Sequence, residues 1–343
     1  MLNSPHTSFL ILFLLLTVAS YGLTWLFLLY ARHRGVIDTP NERSSHSIPT
    51  PRGGGISIII GFIAIYLLTA NREWIPQAPA WALLLGGLPV ALIGLLDDHH
   101  PVSNRIRLAV HLLAAAAAVW VLQPLPHLQL AGLDIRLSGI GVVFVVIGMV
   151  WILNLYNFMD GIDGIAGTEA LSVMASAAII LFVAGEAHIG APLLLLCAPV
   201  LGFLLLNWSP ARIFMGDGCS GFLGLTLAIL ALYYASTSSL NLWCWGILLG
   251  CFIVDASWTL AYRLLSGQQW HSPHRSHAYQ ILSRRWNSHA RVTLATAAAN
   301  LLWLAPWALA AQALPQWGWA FLLISYSPLV VLCATVKAGQ PDS

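Results

Sequence analysis

The sequence predicts an all-α protein that crosses a membrane many times, and three observations support this. Only 8% of the residues are charged and 58% are hydrophobic, with a mean hydropathy of +0.78, whereas about one quarter of a soluble domain is usually charged. The chain also contains repeated apolar stretches of about 20 residues, the length that a helix needs to cross a bilayer. Finally, basic residues cluster in every second connection between those stretches.

Eleven stretches are apolar enough to be spans, and they form a single integral membrane domain over residues 1–343. The first follows no basic residue, whereas Arg32 and Arg34 come directly after it. By the positive-inside rule, this places the N-terminus outside and, after eleven spans, the C-terminus in the cytoplasm. The predicted spans are residues 8–30, 53–70, 79–96, 108–123, 139–157, 170–186, 191–206, 220–236, 241–262, 292–312 and 316–335.

The basic residues agree with this topology. Thirteen of the fifteen Lys and Arg residues fall on the cytoplasmic side, and Arg72 and Arg136 fall outside. We therefore expect a multi-pass protein of the cell inner (cytoplasmic) membrane. We expect no nucleic-acid partner, and the formal net charge of +2 otherwise says little. The predicted cytoplasmic loops are 31–52, 97–107, 157–169, 207–219 and 263–291.

The stretch at residues 154–164 is the most informative part of the chain. It places Asn154, Asn157, Asp160 and Asp163 at three-residue spacing, where the fifth apolar stretch ends. In a helix the two asparagines lie one turn apart, and the glycine after each aspartate lets the backbone leave the helix. Such a cluster of oxygen ligands at a membrane surface suits Mg²⁺, or alternatively Mn²⁺, bound to phosphates. A polar interfacial turn is the competing interpretation.

Two further loops carry aspartates. Asp97 and Asp98 are adjacent. Because neighbouring carboxylates repel, they indicate a nearby cation, which is either a metal or an arginine, with Arg105 and Arg107 as the candidates. Asp217 stands between glycines just before a predicted helix. There it is either a metal ligand beside a helix N-terminus or an N-cap.

The last long loop is rich in histidine and arginine. His274, Arg275 and His277 suit a pyrophosphate, and a basic patch facing anionic lipid headgroups is the alternative. Asp255 lies inside the ninth predicted span and needs a partner, which is either structural or part of the substrate site. All of these polar loops fall on the same predicted side of the membrane, which indicates one shared site.

Taken together, the motifs resemble those of the polyprenyl-phosphate N-acetylhexosamine-1-phosphate transferases, and most closely the branch that initiates bacterial O-antigen. The resemblance runs from residue 38 to residue 280 in the family's order and so covers most of the chain. It is carried by Asp97-Asp98, Asn154-x-x-Asn157-x-x-Asp160-Gly161-Ile162-Asp163-Gly164, Phe214-Met215-Gly216-Asp217-Gly218-x-Ser220 and the loop 271–280.

The resemblance implies transfer of N-acetylhexosamine 1-phosphate from a UDP-N-acetylhexosamine to undecaprenyl phosphate, with release of UMP. It implies that this step initiates O-antigen, lipopolysaccharide or related cell-envelope polysaccharide synthesis. It leaves two roles possible for Asp97, which either transfers a proton or orients the lipid phosphate or Arg107. It also implies membrane lipid as a partner and leaves a homodimer open. The implied roles are Mg²⁺ binding by Asn157 and Asp217, catalysis by Asp97, Asp98, Asp160 and Asp163, and substrate binding by Arg107, Asn154, His274, Arg275 and His277.

The chain departs from the family at Tyr279-Gln280, where many bacterial relatives have two histidines, so no histidine role carries over beyond His277. Two other protein classes are alternatives. A transporter would place its polar residues near the bilayer midplane and often show repeated halves. A CDP-alcohol phosphatidyltransferase would carry one Asp-Gly-x-x-Ala-Arg cluster, which this sequence lacks. N-acetylglucosamine is the default sugar, with N-acetylfucosamine and N-acetylquinovosamine as alternatives.

Overall fold

The computed structural model describes residues 5–40, 48–69, 77–268 and 274–341. Most of them are helical, and two short pairs of strands complete the regular structure. The helices are α1 (Pro5–Arg34), α2 (Ile56–Thr69), α3 (Gln77–Ala82), α4 (Leu88–His99), α5 (Asn104–Val121), α6 (Ile140–Met159), α7 (Ile165–Val183), α8 (Ala187–Asn207), α9 (Asp217–Thr237), α10 (Leu242–Leu248), α11 (Gly250–Leu265), α12 (Ala278–Trp286), α13 (His289–Ala298), α14 (Ala305–Ala313) and α15 (Gly318–Val336).

Several of these helices join into longer ones. A π-helical turn at Leu83–Gly87 connects α3 to α4, and a second one at Ala299–Leu304 connects α13 to α14. In the part of the chain that the structure describes, nine continuous helices are long and apolar enough to cross a membrane. The pair α10 and α11 is a tenth candidate, bent by 73°. Helix α2 is apolar but shorter.

In the described residues, each of the eleven predicted stretches is mainly helical, which confirms the all-α, polytopic membrane class. The exact number of spans and the positions of the two termini relative to the membrane stay predictions. Residues 41–47 of the loop 31–52, residues 269–273 of the loop 263–291, and Arg72 lie outside the described residues.

The strands are a small addition to the helical fold. In β1 (Ile37–Asp38) and β2 (Thr50–Pro51), the register pairs Ile37 with Pro51. β3 (His127–Leu130) and β4 (Leu133–Arg136) form an antiparallel hairpin between α5 and α6, with His127 opposite Arg136. Neither pair of strands was predicted from the sequence.

The centre of the bundle is formed by α7, α8 and α9. Their apolar windows are 78%, 72% and 89% buried inside the protein, compared with 17% for α1 and for α15. The peripheral helices keep large apolar side chains exposed, such as Leu15 on α1. An apolar surface of this kind suits contact with lipid, so burial in the protein core and exposure to lipid are divided between different helices.

A close approach of α4 to α9 positions the candidate site. A Cβ atom added at Gly94 would lie 2.5 Å from the Cα atom of Gly218, so the backbones meet where neither residue has a side chain. Asp98 lies one helical turn after Gly94, and Asp217 directly precedes Gly218. Two aspartates far apart in the sequence are therefore brought to the same end of the bundle.

Candidate active site

A polar cavity of about 210 Å³ opens at the end of the bundle where α4 and α6 end and α7 and α9 begin. Its described lining comes from four of the five predicted loops, all except 97–107. We call it the acidic cavity because aspartates dominate its charged residues. The described residues that line it are Asp38, Arg52, Asp160, Gly161, Ile162, Asp163, Asn207, Phe214, Met215, Gly216, Asp217, Gln280 and His289.

Two arginines hold the aspartates of α4 and α9. Nη2 of Arg52 lies 2.7 Å from Oδ1 of Asp98 and 2.6 Å from Oδ1 of Asp217. Nη1 of Arg107 pairs with Oδ2 of Asp97 and lies 3.8 Å from Oδ2 of Asp217. The backbone N–H of Asp217 donates to Oδ1 of Asp98 at 3.1 Å. The adjacent aspartates thus each have a cationic partner, and in both cases it is an arginine.

Asp217 is the first residue of α9, and Gly216 takes the N-cap position. The interpretation of Asp217 as the N-cap was therefore wrong, because the side chain faces two arginines instead of the backbone of its own helix. Its side chain remains 27% exposed, compared with 2% for that of Asp98. Among these two carboxylates, Asp217 is the one that a ligand in the cavity can reach.

Asp160 follows the last residue of α6 and lines the acidic cavity. Burial, together with the nearby carboxylates of Asp217, Asp98 and Asp163, raises the pKa of Asp160 well above its ordinary value, and Arg52 only partly opposes this. Burial is the largest cause of this shift, and the surrounding carboxylates add electrostatic repulsion. A cation bound there would relieve the repulsion.

Asp163 has a different set of partners. Its Oδ1 lies 3.2 Å from Nδ1 of His289, and its Oδ2 accepts from the backbone N–H of Ala211 at 3.1 Å. Its backbone carbonyl accepts from the hydroxyl of Thr293 at 2.9 Å. Burial acts to raise the pKa of Asp163, but the hydrogen bonds from His289, Ala211 and Ser209 outweigh it and lower the pKa. Asp163 therefore ties the start of α7 to α13 and to the loop before α9.

Neither of the two asparagines of α6 is among the described residues that line the cavity. Nδ2 of Asn154 donates to the carbonyl of Val150 at 2.7 Å, and its side chain also hydrogen-bonds to His111. Asn157 is partly exposed in the last turn of α6, one turn before Asp160. The substrate and metal roles of Asn154 and Asn157 stay predictions.

The loop before α12 is held by a buried carboxylate. Oδ1 and Oδ2 of Asp255 accept from the backbone N–H groups of Ala278 and Tyr279, at 2.8 and 2.9 Å. Oδ1 also accepts from the hydroxyl of Thr259 at 3.1 Å. Asp255 therefore has a structural partner: it binds the N-terminus of α12, where backbone donors and the helix dipole favour a negative charge.

We call residues 274–280 the histidine loop. The rings of His274 and His277 stack at 5.0 Å, and those of His277 and Tyr279 at 5.8 Å. His277 is only 3% exposed, and its Nδ1 lies 3.4 Å from Oδ1 of Asp255. Burial, helped by the charges of His277 and Arg263, lowers the pKa of His274 to about 4, although Asp255 opposes this. His274 is therefore neutral at neutral pH.

The histidine loop reaches the acidic cavity through Gln280, while His274, Arg275 and His277 are not among its described lining residues. The hydroxyl of Tyr279 donates to the carbonyl of Phe158 at 2.9 Å, which joins the loop to the end of α6. Arg275 is partly exposed, and its carbonyl accepts from Nη1 of Arg284 at 3.0 Å. The pyrophosphate role of Arg275 stays a prediction.

Sequence reasoning gave no role to five residues that line the cavity. Asp38 and Arg52 lie within the first predicted loop, 31–52. Asn207 ends α8, Gln280 lies in α12 and His289 begins α13. One feature of the sequence could have pointed to Arg52. It directly precedes three glycines, in a loop that is predicted to lie on the same side of the membrane as the aspartates. No such feature pointed to His289, because its role depends on a contact with a residue 126 positions earlier.

The cavity offers carboxylate oxygens as possible ligands of a divalent metal. Within the described residues, no three His, Cys, Asp or Glu side chains are arranged as a ready metal site. Mg²⁺, however, is usually held by only one or two carboxylates together with water and substrate phosphates. The partly exposed carboxylate of Asp217, with Asp160 lining the same cavity, fits such a site.

Comparisons with known proteins agree with this geometry. The model of Glycosyl transferase family 4 matches residues 80–235. A probable undecaprenyl-phosphate N-acetylglucosaminyl 1-phosphate transferase of Bacillus subtilis (strain 168) is 30% identical, over 74% of this chain and 72% of that protein. An undecaprenyl-phosphate alpha-N-acetylglucosaminyl 1-phosphate transferase of Escherichia coli O157:H7 is 28% identical, over 83% of this chain and 80% of that protein.

A decaprenyl-phosphate N-acetylglucosaminephosphotransferase of Mycobacterium leprae (strain TN) is 29% identical, over 81% of this chain and 77% of that protein. The family match includes the ends of α4 and α6 and the start of α9, which carry Asp97, Asp98, Asp160 and Asp217. The chain belongs to glycosyl transferase family 4, the polyprenyl-phosphate N-acetylhexosamine-1-phosphate transferases, and is a membrane-embedded phosphotransferase.

Proposed function

We propose that this enzyme transfers N-acetylglucosamine 1-phosphate from UDP-N-acetylglucosamine to undecaprenyl phosphate and releases UMP. The observation that carries the proposal is the acidic cavity, which joins Asp160, Asp217 and Arg52 at one end of an apolar helical bundle. The lipid acceptor can remain in the bilayer there while its phosphate meets a water-soluble nucleotide. The names of the relatives support the choice of sugar and of acceptor.

The size of the cavity suggests which part of the substrates it holds. Pockets that enclose a whole drug-sized ligand usually measure about 300–1,000 Å³. At about 210 Å³, the acidic cavity matches the phosphates and a cation better than a complete sugar nucleotide. We therefore place the reacting phosphates beside Asp217 and the nucleoside and sugar outside this cavity.

We assign Mg²⁺ to Asp217, with Mn²⁺ as the alternative metal. When bound, the metal would neutralise phosphate charge and orient the reacting groups. Asn157 remains a candidate second ligand from α6. Asp160 lines the same cavity, and a bound cation would oppose the burial and the neighbouring carboxylates that raise its pKa.

In the proposed reaction an oxygen of the lipid phosphate attacks the β-phosphorus of the sugar nucleotide. The bond from that phosphorus to the bridging oxygen breaks, and UMP leaves. Phosphoryl transfer of this kind depends mainly on positioning and charge neutralisation. The attacking phosphate is already an anion, and Asp97 is paired with Arg107 and accepts from the backbone N–H of Val102 at 2.7 Å. We therefore assign Asp97 to orienting Arg107 rather than to proton transfer.

We also propose that the product initiates O-antigen, lipopolysaccharide or a related cell-envelope polysaccharide at the cell inner membrane. The support is the sequence of the first loop and of the histidine loop, which resemble the O-antigen-initiating branch. The same loops leave the 6-deoxy sugars N-acetylfucosamine and N-acetylquinovosamine as alternative donors.

The test is an assay of the purified enzyme with undecaprenyl phosphate and a panel of UDP-N-acetylhexosamines. We expect UMP release and a labelled lipid pyrophosphate with UDP-N-acetylglucosamine, in a reaction that requires Mg²⁺. Transfer from a UDP-6-deoxy sugar alone would overturn the choice of donor. Failure to release UMP with every UDP-N-acetylhexosamine in the panel would overturn the proposed reaction.

A further inference from the structure

Arg52 occupies an unusual position between two helices. A single nitrogen atom, Nη2, contacts Oδ1 of Asp98 on α4 at 2.7 Å and Oδ1 of Asp217 on α9 at 2.6 Å. The charges of Asp38 and Asp160 also act on this guanidinium. One positive group therefore stands among four carboxylates, and it bridges two of them as a metal ion would.

The backbone around Arg52 is fixed by its neighbours. Its own N–H donates to the carbonyl of Val36 at 3.2 Å, and the flanking residues Pro51 and Gly54 pair with the backbone of Phe214, at 2.8 and 2.9 Å. Its side chain is 29% exposed and lines the acidic cavity. The guanidinium can therefore turn within the cavity while the backbone stays in place.

We propose that Arg52 and a divalent cation compete for Asp217, and that Arg52 turns to the diphosphate of the sugar nucleotide when the cation binds. This inference rests on the metal assignment made under the proposed function. Mg²⁺ binds oxygen at about 2.0–2.1 Å, so it cannot share the side of Oδ1 that Nη2 already occupies at 2.6 Å. A displaced guanidinium would find suitable acceptors in two phosphate oxygens, which match its planar fork.

The competition can be measured without turnover. Binding of Mn²⁺ to the detergent-solubilised full-length enzyme is followed by electron paramagnetic resonance in the absence of nucleotide. We expect Arg52→Gln to bind Mn²⁺ about tenfold or more tightly than the unmodified enzyme, because a competing positive charge a few ångströms away is removed. Arg212→Gln is the matched control, since Arg212 is exposed in the loop before α9, and it should leave Mn²⁺ affinity unchanged.

The second measurement is the affinity for UDP in the presence of saturating Mn²⁺. Arg52→Gln should weaken UDP binding by about tenfold, the scale of one lost charge-assisted hydrogen bond. Arg52→Lys keeps a cation that can bridge the two aspartates but lacks the fork. It should therefore keep the Mn²⁺ affinity close to that of the unmodified enzyme and still weaken UDP binding. Because it retains the bridge, this variant tests the proposal even if Arg52→Gln folds poorly.

The variant Asp217→Asn tests the assignment of the metal to Asp217 separately from the competition by Arg52. If Asp217→Asn abolishes Mn²⁺ binding while Arg52→Gln binds Mn²⁺ no more tightly than the unmodified enzyme, competition by Arg52 is overturned and the metal assignment survives. If Asp217→Asn binds Mn²⁺ normally, the metal assignment is wrong and the inference fails with it. If Arg52→Gln binds Mn²⁺ more tightly and UDP more weakly, the result supports both the competition with the cation and the contact of Arg52 with the diphosphate.

Discussion

The acidic cavity and the histidine loop lie side by side, yet their polar groups are used in different ways. In the cavity, Asp217 is 27% exposed and shares Arg52 with Asp98. In the loop, His277 is 3% exposed, stacked between His274 and Tyr279. The sequence suggested similar roles for both regions, because each is a dense group of polar residues at the predicted membrane surface.

The difference lies in how fully each region satisfies its own polar groups. Asp255 receives two backbone N–H groups and a hydroxyl, so its hydrogen-bonding capacity is largely used within the protein. The carboxylates that line the cavity outnumber the arginine that lines it, and burial together with the neighbouring carboxylates raises the pKa of Asp160. We infer that the cavity binds substrate phosphates, while Asp255 and His277 act by positioning α12 and Arg275. Four experiments test this division.

The largest effect is expected for Asp217→Asn. Loss of a charged ligand to a phosphate-bridging metal should reduce turnover at least about hundredfold, since such a metal contributes several kcal/mol to the transition state. Folding should survive, because the side chain is partly exposed. UMP release measured over a range of Mg²⁺ concentrations tests this.

Asp134→Asn is the matched control for that experiment, because Asp134 forms an exposed pair with His127 in the β3–β4 hairpin. It should behave as the unmodified enzyme. Asn157→Ala, assayed in parallel, should also lose most activity if Asn157 is the second ligand. Near-normal turnover of Asp217→Asn at limiting Mg²⁺ would show that the cavity is not the metal site.

The next largest effect is expected for Asp255→Asn, on stability. It replaces charge-assisted acceptors of the α12 N-terminus, and we expect about 1.5–3 kcal/mol of destabilisation, together with lower turnover. Thermal unfolding and proteolysis of the histidine loop measure the first quantity. Thr259→Val, which removes only the hydroxyl donor to Asp255, should have a smaller effect. Lost turnover with unchanged stability would contradict a positioning role and place Asp255 in contact with substrate.

A smaller effect is expected for Arg275→Lys. The change keeps the charge but loses the planar fork, so KM for the UDP-sugar should rise by about three- to tenfold and turnover should fall. Arg291→Lys on α13 is the control, since Arg284 donates to the carbonyl of Arg275 and is not independent of it. If Arg275→Lys changes nothing and activity falls steeply with salt, the loop is a patch for lipid headgroups.

The smallest effect concerns His274 and pH. Because its folded-state pKa, about 4, lies below the ordinary value of 6.5, the folded protein is stabilised above pH 6.5 and loses that contribution as pH falls towards 4. Partial exposure limits the loss to less than about 1 kcal/mol between pH 7 and 5.5. Melting temperatures of the unmodified enzyme should fall more over this interval than those of His274→Asn. Parallel profiles would mean that His274 is not held neutral by burial.

Much of the fold was predictable because lipid imposes a simple rule on composition. Each of the eleven apolar stretches is helical, since a spanning segment must satisfy its own backbone hydrogen bonds. The 73° bend between α10 and α11 was not predicted, because residues 241–262 read as one continuous apolar run. The β3–β4 hairpin was missed although residues 127–136 alternate polar and apolar side chains on either side of Ala131-Gly132, a pattern typical of two strands joined by a tight turn.

The site was predictable where one local motif contained several of its residues. Asp160 and Asp163 were found because spacing alone marked them, and Asp217 because glycines flank it. Arg52 and His289 were missed, because their importance comes from contacts with Asp98, Asp217 and Asp163 that no local pattern encodes.

The backbone conformation and close packing of Gly216 limit which substitutions this enzyme can tolerate. Its φ of +87° disfavours any side chain, and an added Cβ would lie 2.6 Å from Oδ2 of Asp98. In a saturation mutagenesis screen we therefore expect position 216 to be as intolerant as the aspartates, with even alanine depleted. A residue without functional groups would then be as strongly constrained as those that carry the chemistry, because it sets the space in which Asp98 and Asp217 meet.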